Sequence, residues 1–416
     1  MTTEPVPVEG SSDVRMRGFA RRHTLTDALN WLDDQLAPLA SQAVGLDAAM
    51  GRVLGQDIHS EVAVPGFARS MMDGFAVRAA DTQGASAYNR LELAIVGRAG
   101  PAEAFSGQVG PGQAVRIATG APMPEGADAV LPVEQVEADQ EHLAAQGEVS
   151  PGKHVGQPGE DVTAGTVVFE RGRRLRPQDL GVLSSIGVSQ VQAVRQPQVR
   201  LLVTGNELLP AGSMPSGYQI ADANGPMLGG LVARDGGLVH NPGIIADKQE
   251  LILAALRDDV DVVLVSGGSS VGPEDHAPVL LARHGELAIH GVAMRPSSPA
   301  GMGRLDNRLV FLLPGNPVSC LCAYDFFAGR AIRVLAGRRA DWPYRMIYCS
   351  LARKLVSVVG RIDYARVAIR DGQAEPLAIS GASILSSTTR SDGFVVVSAD
   401  SEGYPVGAEV KVYLYD

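Results

Sequence analysis

A short β-branched run, Val260-Asp-Val-Val-Leu-Val265, leads directly into Ser266-Gly-Gly-Ser-Ser-Val-Gly-Pro-Glu-Asp275. Apolar runs of this kind read as buried strands of a parallel sheet. Ligands of open α/β sheets sit at the carboxyl ends of such strands. Gly267, Gly268 and Gly272 let backbone N–H groups approach an oxyanion or phosphate, and Ser269 and Ser270 lie in the same loop. The carboxylate of Asp275 repels such an anion unless a cation lies between them. The segment therefore points to a phosphate-containing ligand, a divalent metal, or both.

Two further apolar runs end in polar loops. Val199–Val203 ends in Thr204-Gly-Asn-Glu207, and Leu309–Leu313 ends in Pro314-Gly-Asn-Pro-Val-Ser319. Convergence of three such loops at one sheet edge is more specific than any one of them. Glu207 and Asp275 are candidate ligands for Mg²⁺, which takes one or two carboxylates plus phosphate oxygens. The competing reading is that each carboxylate caps the helix after its loop. Asn316 and Ser319 supply the polar groups of the third loop. Arg295-Pro-Ser-Ser-Pro299 follows an expected strand, His290–Met294, and the Arg295 guanidinium is placed to reach the acidic loop. Weaker signals are Asp73 in Ser70-Met-Met-Asp-Gly-Phe-Ala76, Thr119 in Arg116-Ile-Ala-Thr-Gly120, and Asp161 in Gly159-Glu-Asp161. The 8 histidines show no metal-ligand spacing, and nucleophile-elbow, Walker A and dinucleotide fingerprints are absent from the sequence.

These loops need a scaffold. From Pro197 to Gly337 strands alternate with helices, which predicts a doubly wound α/β unit. One helix is expected over Pro226–Arg234, opened by Asn224. A second is expected from Val318 to Ala336, with Asn316 as its cap and Pro317 at its first position. Upstream, Thr24 is placed to cap a helix whose apolar face holds Leu25, Ala28, Leu29, Leu32 and Leu36. From Glu61 to Gly165 short segments broken by Gly and Pro predict an all-β module, and a helix follows over Gln178–Ile186. Strand-like runs return at Arg345–Leu351, Ala365–Ile369, Phe394–Val397 and Glu409–Tyr415.

Bulk properties narrow the function. With 416 residues the chain is expected to hold several domains. A formal charge of −10 argues against non-specific nucleic-acid binding and against an anionic membrane surface. An anionic ligand must then be held by local basic groups. The 3 cysteines, Cys320, Cys322 and Cys349, read as small buried hydrophobes of a reducing, cytoplasmic compartment. The first residues, Met1–Gly18, are polar and carry no secretory signal, and no run reaches the length of a membrane helix.

The order of these motifs resembles the molybdopterin molybdenumtransferases, the family that includes the gephyrin E domain. The matching segments are Ser70–Ala76, Arg116–Ala121, Gly159–Asp161, Thr204–Leu208, Asp222–Asn224, Ser266–Asp275, Leu313–Ser319, Gly360–Arg366 and Leu385–Ser387. The resemblance implies an α/β multidomain protein. After a disordered tail (1–20) come a helical linking domain (21–60 plus 166–196) and an elongated β-domain (61–165). The α/β molybdopterin-binding domain (197–338) and a C-terminal β-barrel (339–416) follow. It also implies a homodimer with active sites built across the subunit interface. The implied reaction converts adenylylated molybdopterin and molybdate into molybdenum cofactor and AMP, with Mg²⁺. Asp275 then holds the cation, Ser270 lines the oxyanion site, and Arg366 and Ser387 face it. Asp73, Thr119, Asp161 and Glu207 complete the cleft. Several positions depart from the family: Arg295 and Ser298 stand where lysines are usual, Ala300–Gly303 lacks the usual aromatic-containing run, and Gln157 stands where arginine is frequent. The alternative that this implies is a gephyrin-like paralogue that binds a protein partner as a dimeric scaffold.

Overall fold

A computed structural model describes residues 22–268, 275–378 and 381–415. The chain forms two compact units, residues 43–50 with 54–192, and residues 1–42 with 51–53 and 193–416. The larger unit begins with helix α1 (Leu25–Asp34). Thr24 caps it as expected: its hydroxyl accepts from the Asp27 N–H at 3.0 Å, and the Asp27 carboxylate accepts from the Thr24 N–H at 3.4 Å. Ala28 and Leu32 on one face are fully buried in the core cluster of that unit.

The smaller unit is built on a six-stranded sheet. Its strands are β1 (Gly74–Val77), β2 (Leu91–Ala99), β3 (Gln113–Ile117), β4 (Ala129–Pro132), β5 (Val136–Ala138) and β6 (His142–Ala145), in the order β4-β1-β3-β2-β6-β5. Only the β2–β3 pair is parallel. Gly74 is required where strands crowd, because a Cβ there would lie 2.1 Å from the Leu131 carbonyl oxygen. Helix α2 (Pro177–Ser185) follows, with proline in its first turn.

In the larger unit the sheet strands are β7 (Gln198–Thr204), β8 (Leu238–His240), β9 (Ile244–Ile245), β10 (Val262–Ser266), β11 (Glu286–His290), β13 (Gly301–Leu305) and β14 (Arg308–Leu313). Their order is β8-β7-β10-β14-β13-β11, with β9 also pairing β7. The strands β8, β9, β7, β10 and β14 run parallel, and β13 and β11 add an antiparallel edge. Every residue of β10 is buried, as an apolar run covered on both faces must be. Helices α3 (Asn224–Asp235), α4 (Gln249–Leu256), α5 (His276–His284), α6 (Pro317–Ala323) and α7 (Gly329–Leu335) complete the unit.

Three local expectations change. The helix expected over Val318–Ala336 is α6, one π-helical turn (Tyr324–Ala328) and α7. The strand expected over His290–Met294 divides: β11 ends at His290, and Met294–Arg295 forms β12, which pairs with the barrel. Asn224 does not cap α3 with its side chain. Asp222 takes that role, its carboxylate accepting from the Gly225 N–H at 2.8 Å.

The C-terminal strands β15 (Arg345–Leu351), β16 (Ile362–Arg370), β17 (Gln373–Ala378), β18 (Gly393–Val397) and β19 (Glu409–Leu414) close into a five-stranded barrel. The ring runs β16-β17-β15-β19-β18 and returns to β16. Aromatic side chains bind it to the π-turn: Phe326 packs edge-on to Trp342 at 5.0 Å and to Tyr364 of β16 at 6.4 Å. No helix among the described residues is long and apolar enough to cross a membrane.

Behind the sheet lies a buried ion cluster. Asp235 is fully buried and accepts from Arg333 at 3.0 Å, from Arg234 at 3.0 Å and from the Tyr324 hydroxyl at 3.0 Å. Arg333 is itself only 3% exposed. Removing the carboxylate strands a buried guanidinium, so Asp235→Ala is expected to lower unfolding free energy by about 3–5 kcal/mol. Urea unfolding of the two proteins measures this, and a loss under about 1 kcal/mol contradicts it.

Candidate functional site

The three strand ends expected to carry polar loops stand level at one edge of the larger unit's sheet. Val203 pairs in register with Ser266, and Ser266 with Leu313. Beyond these residues the chain turns away in loops held by a small set of polar groups. Gly267 and Gly268 have φ of 95° and 55°, the left-handed region that glycine adopts without strain. A Cβ on Gly267 would lie 2.3 Å from the Thr204 carbonyl oxygen, so the two loops touch backbone to backbone. A Cβ on Gly315 would lie 3.7 Å from Gly267 Cα, which brings the third loop to the same point.

Two carboxylates flank this meeting point. The notional Cβ of Gly268 lies 3.9 Å from Asp275 Oδ1, so Asp275 faces the glycine loop. Asp275 precedes α5 but makes no side-chain cap bond to it. The Glu207 carboxylate folds over Gly205, 2.9 Å from its notional Cβ, and precedes no helix. Capping therefore accounts for neither side chain. Ser269, Ser270 and Gly272 lie outside the described residues.

Asn316 is exposed, and its side-chain oxygen accepts from the Ser383 hydroxyl at 2.9 Å rather than capping α6. The Val318 N–H donates to the Ala382 carbonyl at 3.0 Å, so a segment from the barrel region covers the start of that helix. Ser319 is buried, and its carbonyl accepts from the Ser297 hydroxyl at 2.5 Å. Ser387 is also buried, with its hydroxyl donated to the Ile384 carbonyl at 2.6 Å.

The basic groups lie on β12 and β16. Arg295 is paired in register with Asp363, and its Nη2 donates to that carboxylate at 2.5 Å. Asp363 is fully buried and also accepts from Arg361 at 3.1 Å and from Ser357 at 2.9 Å. Arg295 Nε and Ser298 Oγ are both buried without a hydrogen-bond partner among the described residues. Arg366 is completely buried, and that burial lowers its pKa from the ordinary arginine value. Burial pushes the Cys320 thiol up to about 12 and Cys322 well above its ordinary value, so neither serves as a thiolate nucleophile at neutral pH.

Three polar residues, two near the sheet edge and one on the barrel, were not among the expected site residues. Asp247 follows β9 and accepts from the Thr204 hydroxyl and, at 3.2 Å, from the Asn206 N–H. Its signal was the same as that of Asp275: a short β-branched run, Ile244-Ile245, followed by an acid. Asn224 donates to Ser266 Oγ at 2.9 Å and to the Gly315 carbonyl at 2.8 Å. Asp363, the third such residue, lay inside a recognised motif, but its pairing with Arg295 depends on strand register.

In the smaller unit Asp73 precedes β1 and Thr119 follows β3, on strands whose Gly74 and Ile117 are paired. The Asp73 carboxylate accepts from the Thr119 N–H at 2.7 Å and from the Thr119 hydroxyl at 3.0 Å. Those bonds, the backbone one first, hold the Asp73 pKa below its ordinary value. Asp161 is exposed on a separate turn whose backbone N–H donates to the Val64 carbonyl at 3.0 Å.

The Asp73 carboxylate is thus ionised to lower pH than a free aspartate. Thr119→Val removes the hydroxyl donor and leaves the backbone donor, so the Asp73 titration should move upward, toward its ordinary value. A ¹³C NMR pH titration of the carboxyl carbon reads this shift, and an unchanged or lower midpoint contradicts the assigned cause.

Comparison with known proteins accounts for nearly the whole chain. The MoeA N-terminal region (domain I and II) matches residues 23–187, the probable molybdopterin binding domain matches residues 200–333, and the MoeA C-terminal region (domain IV) matches residues 349–415. A molybdopterin molybdenumtransferase from Haemophilus influenzae is 32% identical over 400 residues, covering 94% of this chain and 98% of that protein. One from Staphylococcus aureus is 29% identical over 402 residues, covering 93% and 94%. The crystal structure of a molybdopterin biosynthesis MoeA protein from Pyrococcus horikoshii superposes with a TM-score of 0.78 at 30% identity, covering 95% of this chain and 100% of that one. By sequence over 94% of its length and by fold, the chain belongs to the molybdopterin molybdenumtransferase (MoeA) family.

Proposed function

We propose that the protein acts in molybdenum cofactor biosynthesis, transferring molybdenum from molybdate to adenylylated molybdopterin with release of AMP. One observation carries this reading. Three loops meet at the carboxyl edge of a parallel sheet, bare backbone at their centre and two carboxylates at their rim. Such an edge suits a phosphoanhydride, because glycine backbone can approach its oxygens and helix or loop N–H groups can face them. The relatives that carry the transferase name support the same substrate class.

Mg²⁺ fits the donor set. Among the described residues no three His, Cys, Asp or Glu side chains gather into a cage. A cation that takes one or two carboxylates and completes its shell with substrate oxygens and water needs no cage. Asp275 and Glu207 would hold it, and the bound ion would spread the charge of the phosphoanhydride. The protein's own groups do the rest. Gly267, Gly268 and the adjoining Ser269, Ser270 and Gly272 cradle phosphate oxygens, with Asn316 and Ser319 on the neighbouring loop. Arg295, Ser298, Arg366 and Ser387 form the side toward the molybdate dianion, which needs guanidinium and hydroxyl donors. In a homodimer, Asp73, Thr119 and Asp161 complete the cleft from the partner subunit. The scaffold alternative gains no support from the curated relatives.

Purified protein supplied with adenylylated molybdopterin, molybdate and Mg²⁺ is expected to release AMP. Asp275→Ala should slow that release on the order of 100-fold, the usual loss when one stabiliser of transition-state charge is removed. Wild-type protein that releases no AMP, under conditions where a reference family member does, overturns the proposal.

A further inference from the structure

Asn224 stands where the sheet stops holding the site. The hydrogen-bonded ladder between β10 and β14 ends at the pair Ser266–Leu313. Past that pair the two chains continue as the Gly267–Gly268 loop and the Gly315–Asn316 loop. The Asn224 amide bridges them, donating to Ser266 Oγ at 2.9 Å on one side and to the Gly315 carbonyl at 2.8 Å on the other.

The chemistry fixes the amide orientation. The Gly315 carbonyl can only accept, so Nδ2 must face it. The work of capping α3 falls to Asp222, which leaves the Asn224 side chain for this bridge. Asn224 is only 7% exposed, and its Oδ1 is buried without a partner among the described residues. A buried acceptor left unpaired is costly and marks a position held for a reason other than local stability.

We propose that Asn224 is a positioning residue: its amide sets the gap between the two glycine loops and thereby the width of the substrate's phosphate notch. The link to substrate rests on the transferase reading above, and the clamp itself does not. Aspartate is isosteric with asparagine but places an oxygen against the Gly315 carbonyl, so it breaks the bridge by repulsion. Alanine breaks it by deletion.

The test has two arms. In ligand-free protein, hydrogen–deuterium exchange is followed in peptides covering 262–268 and 311–318, with a barrel peptide covering 362–370 as reference. Asn224→Ala and Asn224→Asp should each raise exchange in both loop peptides by roughly 10-fold, leaving the barrel peptide unchanged, as loss of a local tie predicts. Exchange that is unchanged in the loops, or raised equally everywhere, overturns the clamp. In the second arm AMP release is followed against adenylylated molybdopterin concentration. Both variants should raise KM about 10-fold while kcat changes less than about 3-fold, the pattern of lost substrate positioning. A raised loop exchange with unchanged KM overturns the role in substrate binding. Wild type that does not turn over contradicts the transferase reading, and the exchange arm still decides the clamp.

Discussion

The close approach of backbone to backbone at the carboxyl edge of the larger unit's sheet governs the rest of the site. Gly267 lies so near the Thr204 carbonyl that a methyl group would sit 2.3 Å from its oxygen. No side chain fits there, and the φ of 95° suits only glycine. With side chains excluded from the centre, polar function moves to the rim. Asp275 and Glu207 stand at the rim of that centre, Asn224 ties two of the loops, and Asp247 pins the third through Thr204. The parallel strands β7, β10 and β14 deliver all three loops to one level because their registers agree, and their burial on both faces leaves little freedom to slip.

Electrostatics in the larger unit follow a second rule: arginines are matched to carboxylates before any ligand arrives. Arg295 meets Asp363, Arg333 and Arg234 meet Asp235, and Arg195 meets Asp261 in a bidentate pair. A chain of net charge −10 thus keeps much of its positive charge in internal pairs. The Arg295 guanidinium shares one face with Asp363, and its Nε is buried without a hydrogen-bond partner among the described residues. Pairing of this kind orders a guanidinium and weakens its net pull on a ligand.

Much of the fold was legible because it rests on short-range signals. The all-buried β10 was visible as a short β-branched run, the α1 cap as Thr24, and the α6 start as Pro317. Loop composition located three strand ends, and strand pairing brought them together. What sequence could not supply was partner choice. Asp222 and Asn224 are both suited to capping, and only the Asp222 to Gly225 geometry separates cap from bridge. The Arg295–Asp363 pair joins residues 68 positions apart through a two-residue strand too short to recognise. The π-turn inside the last helix leaves no compositional mark, since all of its residues are buried in any case.

The central claim is that the glycine-lined edge between Thr204, Gly267 and Gly315 receives the phosphoanhydride of a pterin nucleotide. A crystal structure of the protein with adenylylated molybdopterin tests it most directly. The account predicts the two phosphates against the Gly267–Gly268 and Gly315–Asn316 backbone, with Asp275 on the cation side. Ligand density lying elsewhere, with that edge still filled only by water, contradicts it.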